Sequence, residues 1–139
     1  MITTKVFNNF PKEAKQVREE VFIHEQGFSY DCDEMDDIST HIVAFEKDEP
    51  IAACRVFESE APGVFILGRL AVKKEYRKIG IGGSVVETAK DYVSKAGGKR
   101  LILHSQLQAK GFYEKIGFVE YGGIEYEEDC PHIWMKTEL

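Results

Sequence analysis

The chain has 139 residues, with 24 acidic side chains against 18 basic ones and a formal charge of −6. That length suits one domain that buries a core without disulfide or metal staples, and a hydrophobic share of 43% with 12% aromatics excludes a disordered chain. The acidic balance disfavours nucleic acid, whose binding requires many neutralised phosphates, but leaves room for a local basic site.

Residues 3–7 read as a first strand. Asn9 can cap a helix that carries Pro11 in its first turn, where a missing N–H costs nothing. Ala14, Val17 and Val21 then share one helical face, and Gly27 is a fitting stop. Residues 25–37 are acidic and irregular and are expected to form a solvated loop, suited to attracting a cationic amine.

Residues 41–46 and 51–58 read as two strands joined by a turn at Lys47-Asp48-Glu49-Pro50. Residues 65–72 form a third, apolar enough to be central. A helix is expected over residues 82–96, where Val86, Ala89, Val93 and Ala96 recur at steps of three and four. Residues 101–104 are a short strand, residues 109–115 a short helix closed by Gly117, and residues 118–121 and 133–136 the last strands. Early strands followed by strand–helix alternation predict an α/β (α+β) mixed sheet with helices on its faces. No linker, repeat or low-complexity tract interrupts the chain, so a single domain over 1–139 is expected.

Cys32, Cys54 and Cys130 are odd in number and widely spaced, a poor disulfide or zinc framework, and read as reduced structural thiols. The run from Asp31 to Asp37 fails the spacing of a calcium loop, because Met35 and Asp36 hold positions that need an oxygen ligand and a glycine. No metal is expected. Residues 1–10 lack the pattern of a signal peptide, and no stretch approaches the ~20 apolar residues of a membrane span. A cytoplasmic protein without membrane contact is the expectation.

The chemistry-bearing segment joins the end of a strand, Leu70-Ala71-Val72, to a helix through Arg77-Lys78-Ile79-Gly80-Ile81-Gly82-Gly83-Ser84. A helix start offers unpaired N–H groups and partial positive charge, and glycines let an anion approach the backbone. Lys73, Lys74, Arg77 and Lys78 reverse the sign of an otherwise acidic chain there. The spacing fits neither common nucleotide motif. A phosphate loop needs Gly-Lys-Ser/Thr, and a dinucleotide fingerprint needs glycine where Val85 stands. A glycine turn that merely begins a helix is the plain alternative at this point.

A second segment, Gln106-x-x-Ala109-x-x-Phe112-Tyr113-x-x-x-Gly117-Phe118, changes the balance. In order and spacing the two segments together resemble the GNAT acyltransferase superfamily, with the best match over residues 65–119. Val17 to Phe22, Glu25-Gln26 and Pro131-His132-Ile133-x-Met135 extend the likeness to a bacterial subgroup of single-domain members, ElaA-like or YjcF-like. Two positions depart from the family pattern, Lys74 where proline is frequent and Gln106 where asparagine is.

The resemblance implies a mostly antiparallel sheet of about six to seven strands, with a splayed parallel pair at an acetyl-coenzyme A site. It implies that the turn from Arg77 to Ser84 cradles the coenzyme A pyrophosphate and that Leu70, Ala71 and Val72 present backbone N–H groups to the thioester and pantetheine. Gln106, Phe112 and Tyr113 would flank the pantetheine arm. Tyr113 is the candidate general acid at the departing sulfur, since a phenol of pKa about 10 stays protonated at neutral pH. Glu25 is one candidate general base, and His104 and His132 are others.

Arg18, Arg55 and Arg69 could bind an acidic acceptor or pair with nearby carboxylates at the surface, where such pairs contribute little. The expected activity is transfer of an acetyl group from acetyl-CoA to the primary amine of a small molecule. A non-catalytic acyl-CoA-binding module with the same fold is the alternative. Exposed strand edges leave a homodimer open.

Overall fold

A computed structural model describes all of residues 1–139. One seven-stranded sheet organises the chain: β1 (Ile2–Phe7), β2 (Thr40–Glu46), β3 (Glu49–Glu58), β4 (Val64–Val72), β5 (Arg100–Gln106), β6 (Val119–Glu127) and β7 (Cys130–Glu138). Their order is β1-β2-β3-β4-β5-β7-β6. Only β4 and β5 pair in parallel; every other neighbour is antiparallel. The parallel step is bridged by α2 (Ile81–Lys95), as a parallel crossover requires.

Helices cover both faces. Val85, Val86, Ala89 and Val93 turn the apolar stripe of α2 onto Leu67, Leu101, Leu103 and Met135, and α3 (Lys110–Lys115) adds Tyr113 to that cluster. On the opposite face α1 (Lys12–Arg18) presents Ala14 and Val17 to Val43, Phe45, Ala53 and Ala71. Pro11 stands at the N-cap with no side-chain cap, so Asn9 does not cap this helix as expected, and the helix continues as a π-helix over Glu19–Glu25, which adds Val21 to the same cluster. Widening of this kind in a helix often marks a functional segment.

The expected elements are present, with three differences. The β2–β3 turn is tighter than the expected four residues, because Lys47 takes positive φ and lets β3 begin at Glu49. The last hairpin is longer, with β6 running to Glu127 and β7 beginning at Cys130. Most of β6 is exposed, so no apolar alternation marks it in the sequence. The largest difference concerns residues 31–37.

These residues do not form a solvated loop. Asp31 and Asp36 are buried at 5% and 1% exposure, and Asp33 caps a short 3-10 helix (Glu34–Asp37) through a capping box with Asp36. Arg18, itself 1% exposed, donates from Nε to Asp31 Oδ2 at 2.7 Å and from Nη1 to Asp36 Oδ1 at 2.7 Å. Arg55 reaches Asp33 Oδ1 at 2.6 Å and Asp36 Oδ1 at 2.9 Å, and Arg69 reaches Asp33 Oδ2 at 3.2 Å. Arg18 and Arg55 therefore belong to a buried network rather than to surface pairs, because pairing is what allows these charges inside. The network ties α1, β3 and β4 to the loop before β2.

Candidate functional site

The parallel pairing of β4 with β5 runs only from Val64↔Arg100 to Leu67↔Leu103. Beyond it the strands separate. The β3–β4 register shifts between Ala53 and Arg55, and Arg69 takes a φ of 54°, an uncommon conformation for a non-glycine residue. Ala71 and Val72 thus keep β3 on one side, at Ala53 and Ala52, while the β5-facing edge of Leu70, Ala71 and Val72 has no strand partner. A cleft of about 1330 Å³ opens at this splay.

At one end of the cleft, α2 starts on Gly80. Its φ of 86° is left-handed, and no side chain caps the helix. Glycine takes that conformation without strain. Ser84 N–H already donates to Gly80 O at 3.0 Å, which leaves the N–H groups of Ile81, Gly82 and Gly83 as the uncapped donors of the first turn. Arg77 and Lys78 precede this turn, Lys78 with a φ of 67°. Ile79 is exposed, whereas Ile81 is buried and anchors the helix. Lys73, counted in the basic stretch, is only 4% exposed and lies 3.7 Å from Glu49 and 3.9 Å from Glu20, so it does not face the turn as a free cation.

The two sequence segments meet in space. A Cβ at Gly82 would stand 3.1 Å from Phe112 Cζ and 3.5 Å from Val72 Cγ2, so the bare glycine lets the α3 aromatic close against the turn. Tyr113 is buried beside Phe112 and Phe118, both edge-on, and also lines the cleft. Burial, and then the neighbouring Cys54, push its phenol well above its ordinary value.

Arg77 and Gln106 carry bonds that their place in the motifs does not announce. Arg77 donates Nε–H to the Val72 carbonyl at 2.8 Å and turns its fork onto Glu25, with both Nη···Oε distances 2.6 Å. The hydrogen bond from Arg77 holds the Glu25 carboxyl below its ordinary value. Gln106 Nε2 donates to Gln26 Oε1 at 2.8 Å. Consecutive residues at the end of the π-helix therefore span the splay, one gripping the side that follows β4 and the other the end of β5.

Further along the cleft stand His104, His132 and Glu127. His104 Nδ1 is 2.7 Å from Glu127 Oε2, its ring stacks on Trp134 at 4.6 Å, and His132 Nδ1 donates to Cys130 O at 2.9 Å. The carboxylate that orients His104 comes from β6, the strand with the weakest sequence signal. The three cysteines are all free. No group of three or more His, Cys, Asp or Glu side chains could hold a metal ion, and no helix is long and apolar enough to cross a membrane.

Residues 9–139 match the acetyltransferase (GNAT) domain family, and the chain belongs to that family. It is an acyltransferase with a mixed sheet of the family type. It is 33% identical to the uncharacterized N-acetyltransferase YjcF of Bacillus subtilis (strain 168) over 130 residues, 91% of either chain. The crystal structure of Escherichia coli ElaA has the same fold, with a TM-score of 0.88 at 27% identity, covering 99% of this chain and all of that one.

Proposed function

We propose that the chain is an acetyl-CoA-dependent N-acetyltransferase, one domain over residues 1–139, acting on the primary amine of a small molecule by direct attack in a ternary complex. One observation carries the reading. An uncapped glycine helix start, a strand edge without a partner and a cleft-lining phenol stand around one opening, and these are the groups that acyl transfer from a thioester needs.

In this reading the N–H groups of Ile81, Gly82 and Gly83, with Arg77, Lys78, Ile79 and Ser84 around them, hold the pyrophosphate of coenzyme A. Leu70, Ala71 and Val72 offer backbone donors to the thioester oxygen as it gains negative charge. Gln106, Phe112 and Tyr113 flank the pantetheine arm. The amine nitrogen bonds to the acetyl carbon, the carbon–sulfur bond breaks, and the sulfur leaves as a thiolate beside Tyr113. A phenol whose pKa is raised stays protonated and donates a hydrogen bond to the developing thiolate; as its proton passes to the sulfur to give the free thiol, the proton that the amine nitrogen sheds on forming the amide returns to the phenol through water, so Tyr113 ends as it began.

Glu25 has a different part in this proposal from the general base that the sequence suggested. A carboxylate forked to a guanidinium is a weaker base, and Glu25 faces the cofactor turn. We assign it to occupying the Arg77 guanidinium, in competition with the pyrophosphate.

Titration with acetyl-CoA tests the cofactor, and release of free thiol across a panel of amines tests the transfer. Tight binding with thiol release that depends on an amine is the expected result. Binding without release from any amine would favour the non-catalytic module.

A further inference from the structure

Three buried side-chain nitrogens have no hydrogen-bond partner: His41 Nδ1, Arg55 Nε and His104 Nε2. Two of these residues, Arg55 and His104, line the cleft. Arg55 is paired in register with Gly68, and His104 with Trp134. Gly68 and His104 each come one residue after the last β4–β5 pair, Leu67↔Leu103. Leu67 and Leu103 face the α2 core, so alternation turns Gly68 and His104 to the opposite face. Arg55, Gly68, His104 and Trp134 thus form one row across four strands, straddling the splay on the α1 side.

The two orphan nitrogens differ in chemistry. Arg55 Nε–H can only donate, and its side chain is 6% exposed. His104 Nδ1 sits 2.7 Å from the acceptor Glu127 Oε2, so the neutral ring carries its proton on Nδ1 and offers a lone pair at Nε2. Glu125 Oε1, a carboxylate oxygen, stands 3.7 Å from Nε2, beyond hydrogen-bond reach. Arg69 lies beside Arg55, bound through Nε to Asp31 O at 3.0 Å and through Nη2 to Asp33 Oδ2 at 3.2 Å. Its Nη1 is left over. A bound group that satisfies this row presents an oxyanion to Arg55 and Arg69 and an N–H donor to His104.

We propose that this row is the acceptor subsite and that its ligand is an amine carrying a carboxylate or phosphate on the same molecule. The inference rests on the acetyltransferase reading above and narrows the acceptor class within it. The aspartates hold the arginine planes in place, so little side-chain order is lost when the oxyanion docks. Gly68 is the opening beside Arg55. A Cβ there would stand 3.6 Å from Arg55 Nε, an ordinary contact that covers the donor without straining the backbone.

The test compares matched amines, γ-aminobutyrate against butylamine and O-phosphoethanolamine against ethanolamine, by thiol release and by calorimetric titration of the protein saturated with coenzyme A. The expected result is a kcat/KM at least tenfold higher for the oxyanion-bearing member of one pair, and that pair identifies carboxylate or phosphate. Gly68→Ala should reduce that ratio at least fivefold, mostly through KM, with its fold checked by circular dichroism. Arg69→Gln gives the same readout if Gly68→Ala misfolds. Equal or inverted ratios in the wild type, or a ratio untouched by either folded variant, overturn the subsite while leaving acetyl transfer standing. Oxyanion-selective binding without thiol release supports the subsite and counts against acetyl transfer. Neither binding nor release with any of the four amines overturns the subsite.

Discussion

The Glu25 carboxylate lies fork to fork on the Arg77 guanidinium, with both oxygens 2.6 Å from its nitrogens, at the threshold of the Gly80 helix start. In the proposed function the coenzyme A pyrophosphate and Glu25 are two anions addressed to one cation. Glu25→Gln removes the competing charge and is expected to tighten acetyl-CoA binding by about two- to fivefold, the scale of a partly exposed ion pair. Arg77→Gln is expected to weaken it by about tenfold or more, because a hydrogen bond to a charged group contributes about 1.5–3 kcal/mol. Calorimetric titration of both variants checks the pair. A Glu25→Gln protein that binds acetyl-CoA as before but loses turnover about a hundredfold would return Glu25 to the role of base.

Tyr113→Phe keeps the ring that packs between Phe112 and Phe118 and removes only the hydroxyl. Turnover should fall by about 100-fold or more with acetyl-CoA affinity nearly unchanged. Single-turnover kinetics, where chemistry limits the rate, read this directly, and unchanged turnover there removes Tyr113 from the mechanism.

Arg18→Met tests the buried network. The guanidinium bridges Asp31 and Asp36, and at 1% exposure no solvent replaces it. Breaking one side of such a pair costs about 3–5 kcal/mol, so the urea midpoint should drop by a matching amount. A loss below about 1 kcal/mol would mean that the loop opens to water when the arginine is gone.

The same network sets the acid limit of stability. Hydrogen bonding from Arg55 holds Asp33 below its ordinary value, and although burial alone would raise Asp36, its bonds from Arg18, the Asp33 backbone and Arg55 hold it well below. His41 is pushed below 6.5 by burial. Its ring stacks on Phe10 at 4.7 Å and its Nε2 donates to Asp36 O at 3.0 Å.

All three groups are depressed, so in each case the unfolded chain binds the proton more readily and stability falls as pH falls. Unfolding free energy should begin to decline below about pH 6.5 as His41 titrates in the unfolded chain, and more steeply below about pH 4 with the aspartates. Denaturation curves from pH 3 to 8 check both windows, and a profile flat down to pH 4 would remove His41 from the account.

The sequence by itself determined the strand–turn–helix whose turn ends at Gly80 and the α2 stripe, because these depend on local periodicity and on glycine's conformational freedom, and the resemblance to a known family joined the Arg77–Ser84 turn to the Phe112-Tyr113 helix. The Gly82–Phe112 contact gives the physical reason that the two segments occur together. What only the tertiary structure decided concerns charge. Arg18, Arg55, Asp31 and Asp36 look like solvated surface residues in one dimension, and their burial depends on partners 13 to 22 positions away in the chain. Glu25 reads as a free carboxylate until the fold sets it against Arg77, 52 positions on. The sign and spacing of charges are local properties; which of them share a dielectric is set by the packing of the sheet and its helices.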